Sequence, residues 1–452
     1  MRKLMSAVIA ALTICSGVIA QERVAVKGGR VVPVAGQPIE NGVILIRNGK
    51  IEAVGKDLPI PSEAKVIDAA GKVIVPGFIE AHSSRGMDQA NETNPNVPFL
   101  SVVDAIDPSQ EYFEECRRNG VTTIAVVPGN TTMFGGQAAV IKTAGQYVDE
   151  MIIKRQAGLK ISLKPVGDRN RMGHIATMRK ELDAARYAIE DAKKVATTGS
   201  DRTNAVAASE PANGDDTELQ QRRRQQPGGP SPVAGDAPDA AVIREALAKL
   251  LKDEARVFIY CDLAMDVPQA IKLAKEYKLK AVLVLGPDCY KAVKQIAEAK
   301  LPVVLDPTLA FWETDPRTGE EKQIILPKIY REAGVPITFQ VTGGAAGNLF
   351  RAPNLPPTLG TNYLWFQAAT AVKYGTPPEE ALAAITQRPA QVIGVDKLVG
   401  TIEPGKDADL VILTGDPLKL DTWVQTTLIG GKIVYDRDQD RKLKNLLRPT
   451  EK

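Results

Sequence analysis

The chain has 452 residues, 44% hydrophobic and 25% charged, with a net charge of +3. That balance excludes a largely disordered chain and a polytopic membrane protein, and so small a net charge gives no broad basic field for nucleic acid. The length exceeds one ordinary domain of about 100–200 residues and suits one large α/β unit with a smaller companion.

At the N-terminus, Arg2 and Lys3 precede an apolar run from Leu4 to Ala20 that ends in small residues. This pattern predicts a secretory signal peptide over residues 1–20, cleaved after Ala20, with export to the periplasm or beyond. The run is about 17 residues, short of the roughly 20 that span a bilayer comfortably, and no membrane contact is expected after cleavage. Cys116, Cys261 and Cys289 then remain. An odd count leaves at least one free thiol, so these read as buried reduced side chains and not as a disulfide framework.

From residue 21 to 74 short β-rich runs follow one another: Val24–Val26, Arg30–Val34, Gly42–Ile46 and Lys50–Val54. Gly28-Gly29, Gly36, Asn41-Gly42 and Asn48-Gly49 stand between them as turn signals. Residues 75–394 change character. Thr122–Val127, Val257–Tyr260, Ala281–Leu285 and Pro302–Leu305 read as buried strands, and Thr177–Val195, Pro268–Tyr277 and Tyr290–Ala299 as helices between strands. Repeated βα units predict a parallel sheet closed into a (β/α)8 TIM-type barrel. Residues 197–239, rich in Ser, Asn, Gly, Pro, Gln and Asp, interrupt it as a flexible excursion. Residues 395–440 return to strands, with Gly430-Gly431 between Thr427–Ile429 and Lys432–Tyr435 as a hairpin signal. The fold class is therefore α/β: a barrel with a small composite β-sandwich made by the two terminal segments.

Two motifs carry a family likeness. Val75-Pro76-Gly77-Phe78-Ile79-Glu80-Ala81-His82 resembles the first barrel strand of the amidohydrolase superfamily. Gly394-Val395, followed by Val399 through Val411, resembles its C-terminal signature, with Glu380–Leu382 and Thr386–Ala390 like its last helix. Gly120–Thr123, Pro128-Gly129 and Gly135–Gln137 are similar to the imidazolonepropionase-like members. The resemblance covers nearly the whole chain and implies metal-dependent hydrolysis of C–N bonds.

The same resemblance locates the expected metal ligands, and most are missing. The first strand should end His-x-His; His82 is present, but Ser84 holds the second place. Tyr260 and Asp262 stand where the fifth strand brings histidine, Leu285 where the sixth does, and Thr342 lies in an eighth-strand stretch that lacks its aspartate. For the carboxylate or modified lysine of the third or fourth strand, Lys160 and Lys164 lie nearby without a settled alignment. The chain has only two histidines, His82 and His174, so no alignment restores the set. A catalytic zinc site normally takes three protein ligands and an open position.

No catalytic residue and no metal ligand is therefore assigned, and zinc is not expected. His82, Ser84, Tyr260, Asp262, Leu285 and Thr342 are read as pocket residues. For His82 a satisfied polar leftover and a ligand stand side by side; for Asp262 a loop salt bridge is the competing role. The expected protein is a non-catalytic or much weakened family member, a pseudoenzyme that keeps a pocket for a small-molecule ligand, as a homodimer or paired with an active relative. Two alternatives remain. One is an active amidohydrolase on cyclic amides, with a site rebuilt around His82 from Asp262, Asp288, Asp88 or the thiols of Cys261 and Cys289. The other is a partner subunit of an active paralogue.

Overall fold

The structure is a computed structural model that describes residues 22–199, 240–252, 255–341 and 363–447. The proposed signal peptide, residues 200–239 of the polar excursion, and Thr342 lie outside the described residues. Two compact units divide the chain, one ending at Gly77 and resuming at Lys397, the other Phe78–Asp396. Among the described residues no helix is long and apolar enough to cross a membrane.

The first unit joins both ends of the chain. Its early strands are β1 (Arg23–Val31), β2 (Ile39–Arg47), β3 (Lys50–Lys56), β4 (Lys65–Asp68) and β5 (Val73–Pro76). Strands from the far end of the chain complete one hydrogen-bonded sheet, branched at β1, with β4 paired beside it. Val26, Ile44, Ile74, Leu410, Ile412 and Leu428 share one core, so neither terminal segment buries its apolar face alone. Asn48-Gly49 is the expected hairpin turn, with both residues at positive φ (51° and 78°). Gly28-Gly29 is a different matter. It does not separate two strands; it is an irregularity inside β1, where Gly28 takes φ +82° and the pairing with β2 shifts register.

The second unit holds β6 (Phe78–Ser83), β7 (Val121–Val126), β8 (Phe134–Lys142), β9 (Ile152–Ser162), β10 (Arg256–Cys261), β11 (Lys280–Leu285) and β12 (Val303–Val304). A hairpin of β13 (Ala310–Thr314) and β14 (Glu321–Ile325) precedes β15 (Ile337–Thr338). The last strands, β16 (Leu410–Leu413), β17 (Val424–Ile429) and β18 (Lys432–Asp436), belong to the first unit, with Gly430-Gly431 turning β17 into β18.

The barrel sheet runs β15-β12-β11-β10-β9-β8-β7-β6, eight strands in one nearly closed ring. Helices Arg171–Gly199, Asp266–Glu276, Val293–Ala299 and Leu326–Glu332 follow β9, β10, β11 and the hairpin. The first of them runs through Gly199, past residue 197, where the polar excursion was expected to begin. The ring departs from an all-parallel barrel at one strand: β8 is antiparallel to both β7 and β9. The link 127–133 is too short for a crossover helix, which needs about a dozen residues, so the chain turns back as a hairpin. Among the described residues no backbone ladder joins β6 to β15. Side chains bridge that seam: the Glu80 carboxylate accepts from the Val341 N–H (3.1 Å), and His82 meets Gln340 (2.8 Å).

Candidate functional site

Several buried polar side chains gather near the carboxyl ends of the barrel strands, the end at which barrel active sites lie. His82 on β6 is buried, with 5% of its surface exposed, and both ring nitrogens are engaged. Nδ1 lies 2.8 Å from Gln340 Oε1. The Gln340 amide is oriented from its other end, because its Nε2 donates to the Leu305 carbonyl at 3.0 Å. Gln340 Oε1 is therefore an acceptor, and Nδ1 must carry the ring proton. That leaves a lone pair on Nε2, and Lys160 Nζ of β9 sits on it at 2.9 Å.

Lys160 is completely buried. Its Nζ also donates to Asn130 Oδ1 and lies 5.4 Å from the centre of the Tyr260 ring. Gly135 on β8 makes the room: a Cβ there would come within 3.2 Å of Lys160 Cβ. Burial pushes the Lys160 ammonium down to about 7 from its ordinary 10.5. His82 is held well below the usual imidazole range, first by burial and then by the charge of Lys160. On the same strand Glu80 is pushed up to about 7 by burial, against hydrogen bonds from the Tyr112 hydroxyl (2.9 Å) and the Val341 N–H that favour its charged form.

Beyond Tyr260 a second cluster begins. The Tyr260 hydroxyl donates to Asp262 Oδ1 at 3.0 Å. Lys164 and Arg171 approach the Asp262 carboxylate at 3.6 and 3.8 Å. Arg171 also clamps Asp266 with its Nε (2.8 Å) and Nη2 (3.3 Å), and Asp266 accepts the backbone N–H groups of Asp262 and Leu263. Asp306, just past β12, has its carboxyl raised by burial and by the charge of Asp262.

Of the residues expected to form a pocket, His82 and Tyr260 both meet Lys160, and Asp262 joins through the Tyr260 hydroxyl. Ser84 follows the end of β6 and is half-buried. Leu285 ends β11 in register with Cys261, buried and without a polar group to offer. His174 is buried elsewhere, on the Ser162 carbonyl at 2.8 Å. Asp288 is engaged by Lys291 and the Ala264 N–H, and Asp88 is exposed. All three cysteines are free and buried. Lys160, Asn130 and Gln340 are the members that the sequence pattern did not assign. The available signal is Lys160 itself, a lysine between Leu159 and Ile161 in the buried second half of β9.

The residues around His82 do not fit a divalent ion. Its one lone pair faces a lysine amine, its other nitrogen carries a proton, and the neighbouring donors are two amides and a phenol ring. Among the described residues no three His, Cys, Asp or Glu side chains converge. Residues 342–362 contain none of these four types.

An eight-stranded barrel with its polar residues at the carboxyl strand ends, in a chain whose two termini share a separate sheet, is the architecture of metal-dependent amide hydrolases. The chain belongs to the amidohydrolase superfamily. The model of the Amidohydrolase family matches residues 313–434. An imidazolonepropionase of Thermoplasma volcanium is 23% identical over 434 residues, 90% of this chain and 93% of that protein. The amidohydrolase tasK of Hapsidospora irregularis is 24% identical over 424 residues; this chain spans 40% of that protein's length. Among solved structures, an amidohydrolase from Thermotoga maritima superposes with a TM-score of 0.72 at 26% identity, covering 92% of this chain and all of the other.

Proposed function

We propose that this chain keeps the amidohydrolase barrel but has given up metal-dependent hydrolysis of C–N bonds, or retains it only much weakened, and that its pocket serves a small-molecule ligand without zinc. One observation carries the reading: Lys160 Nζ stands 2.9 Å from His82 Nε2, on the lone pair that a metal would need. That lone pair already accepts a hydrogen bond from the amine, so His82 has no free pair to give a divalent ion. Zinc is what brings bound water to a pKa near 7. Without that activation, hydrolysis by bound water slows by several orders of magnitude.

The test is metal analysis of the purified chain, joined to assays on amide, cyclic imide and dipeptide substrates. The expected result is far less than one metal per chain and background hydrolysis that His82→Ala leaves unchanged. About one tightly held zinc per chain, or turnover abolished by His82→Ala, would overturn the reading.

A further inference from the structure

The hydrogen bonds around Lys160 specify more than the loss of a metal. Its Nζ has two partners among the described residues, His82 Nε2 at 2.9 Å and Asn130 Oδ1. Both are acceptors. Gln340 fixes the His82 tautomer through its bond to Leu305, as derived above. Ser162, on the same strand as Lys160, donates to the Asn130 main-chain carbonyl at 2.8 Å and holds that backbone beside the amine, and the Asn130 side chain turns its Oδ1 toward Nζ. A neutral amine has two hydrogens and one lone pair. Here both hydrogens have acceptors, and among the described residues no donor reaches the lone pair. An ammonium would carry a third N–H with no acceptor among the described residues. It would also be a fully buried charge with no carboxylate within ion-pairing distance among them. The geometry fits a neutral, oriented amine better than a structural ammonium. Its partners stand at the carboxyl end of β6 and just past that of β7, the side from which barrels take substrates.

We propose that Lys160 is a nucleophile that captures a small aldehyde or ketone as an imine. The inference rests on the reading that no metal occupies His82. The amine lone pair attacks the carbonyl carbon; the C–N bond forms and the carbonyl π pair moves to oxygen. The nitrogen of the adduct passes a proton to His82 Nε2, the more basic of the two acceptors beside it. His82 then returns that proton toward the departing oxygen, the remaining N–H proton completes a water molecule, and the C=N bond forms as the C–O bond breaks. Amine and carbonyl give imine and water, with no oxidant or reductant. A neutral amine withdrawn from water is the form of lysine that performs this chemistry. Lys160 and His82 touch the reacting atoms; Asn130 and Gln340 are positioning residues. The surroundings are close-packed, with the Tyr260 ring 5.4 Å from the amine and the Phe258 ring 6.2 Å from the imidazole, so the carbonyl compound must be compact.

The experiment treats the full chain with acetaldehyde and sodium cyanoborohydride at neutral pH and maps N-ethylated lysines by peptide mass spectrometry over time. Lys160 is expected to label faster than every other lysine by roughly tenfold or more. His82→Asn keeps the amine and removes the proton acceptor, and is expected to slow Lys160 labelling by about 100-fold. Lys160→Met, provided its circular dichroism matches the parent, should lose the fast phase entirely. Should Lys160→Met not fold, the His82→Asn comparison decides alone. Labelling of surface lysines with Lys160 untouched in the folded, metal-free parent would overturn imine capture and leave the metal-free reading standing. So would a Lys160 rate equal in parent and His82→Asn. Tightly held zinc in the same preparation would overturn both.

Discussion

Tyr260 separates two polar clusters built on opposite principles. On its ring side, Lys160, His82, Asn130 and Gln340 are joined by hydrogen bonds alone, without an opposing charge among the described residues. On its hydroxyl side, Asp262, Asp266, Lys164 and Arg171 are joined by opposite charges and backbone N–H groups. The charged forms are satisfied in the second cluster and penalised in the first. The same strand, β10, thus presents one side to a site that favours neutral groups and the other to a site that fixes charge. Reactivity belongs to the first kind of environment and rigidity to the second.

The sharpest way to break this comparison is Asp266→Ala. It leaves Arg171 without its clamp and two backbone donors, Asp262 N–H and Leu263 N–H, without an acceptor. The expected loss is about 3–5 kcal/mol in urea unfolding. A loss under about 1 kcal/mol would show that the cluster is not organised by Asp266.

A smaller effect separates the clusters by pH. Glu80 has its folded pKa raised from 4.5 to about 7, so its contribution to stability is fully present below 4.5 and is lost as pH rises through about 7. Lys160 has its folded pKa lowered from 10.5 to about 7, so its contribution is present above 10.5 and is lost as pH falls through about 7. Each limb should slope by about 1.4 kcal/mol per pH unit. Thermal melts across this range should show Lys160→Met flattening the alkaline limb and Glu80→Gln flattening the acid one. His82, depressed by burial, adds a loss as pH falls below 6.5, so the Glu80 comparison is cleanest just above that value. An alkaline limb unchanged in Lys160→Met would mean that the amine is not buried as described.

The smallest effect is that of Tyr260→Phe. It removes one hydrogen bond to Asp262 and keeps the ring beside Lys160. About 1 kcal/mol of stability should be lost, with aldehyde labelling of Lys160 unchanged. A change in labelling would tie the two clusters together after all.

Much of the architecture is legible along the chain because it rests on local patterns. Asn48-Gly49 and Gly430-Gly431 announce their hairpins, since few residues but Gly and Asn accept those dihedrals. The alternation of apolar strands and helices announces the barrel. The reversal of β8 is not announced: Phe134–Lys142 reads as a buried strand whichever way it runs, and only the short link before it bears on direction. Gly28-Gly29 has the composition of a turn, and tertiary pairing makes it an irregularity within β1. The site is legible at His82, Tyr260 and Asp262, which sit in strand motifs. It is not legible at Gln340 or Asn130, because an amide's role depends on which group faces each end, and nothing local records that. Lys160 lies 78 positions from His82, a separation that no spacing rule spans.

One feature of the ring has a mechanical consequence. Where β6 faces β15, the circle is fastened by Glu80 on Val341 and His82 on Gln340, not by a ladder of peptide bonds. Both fasteners belong to ionisable side chains, so the barrel has a clasp whose hold depends on proton occupancy while the remaining staves stay bound to one another. Breathing of the ring should begin at that clasp, beside the imidazole–amine pair.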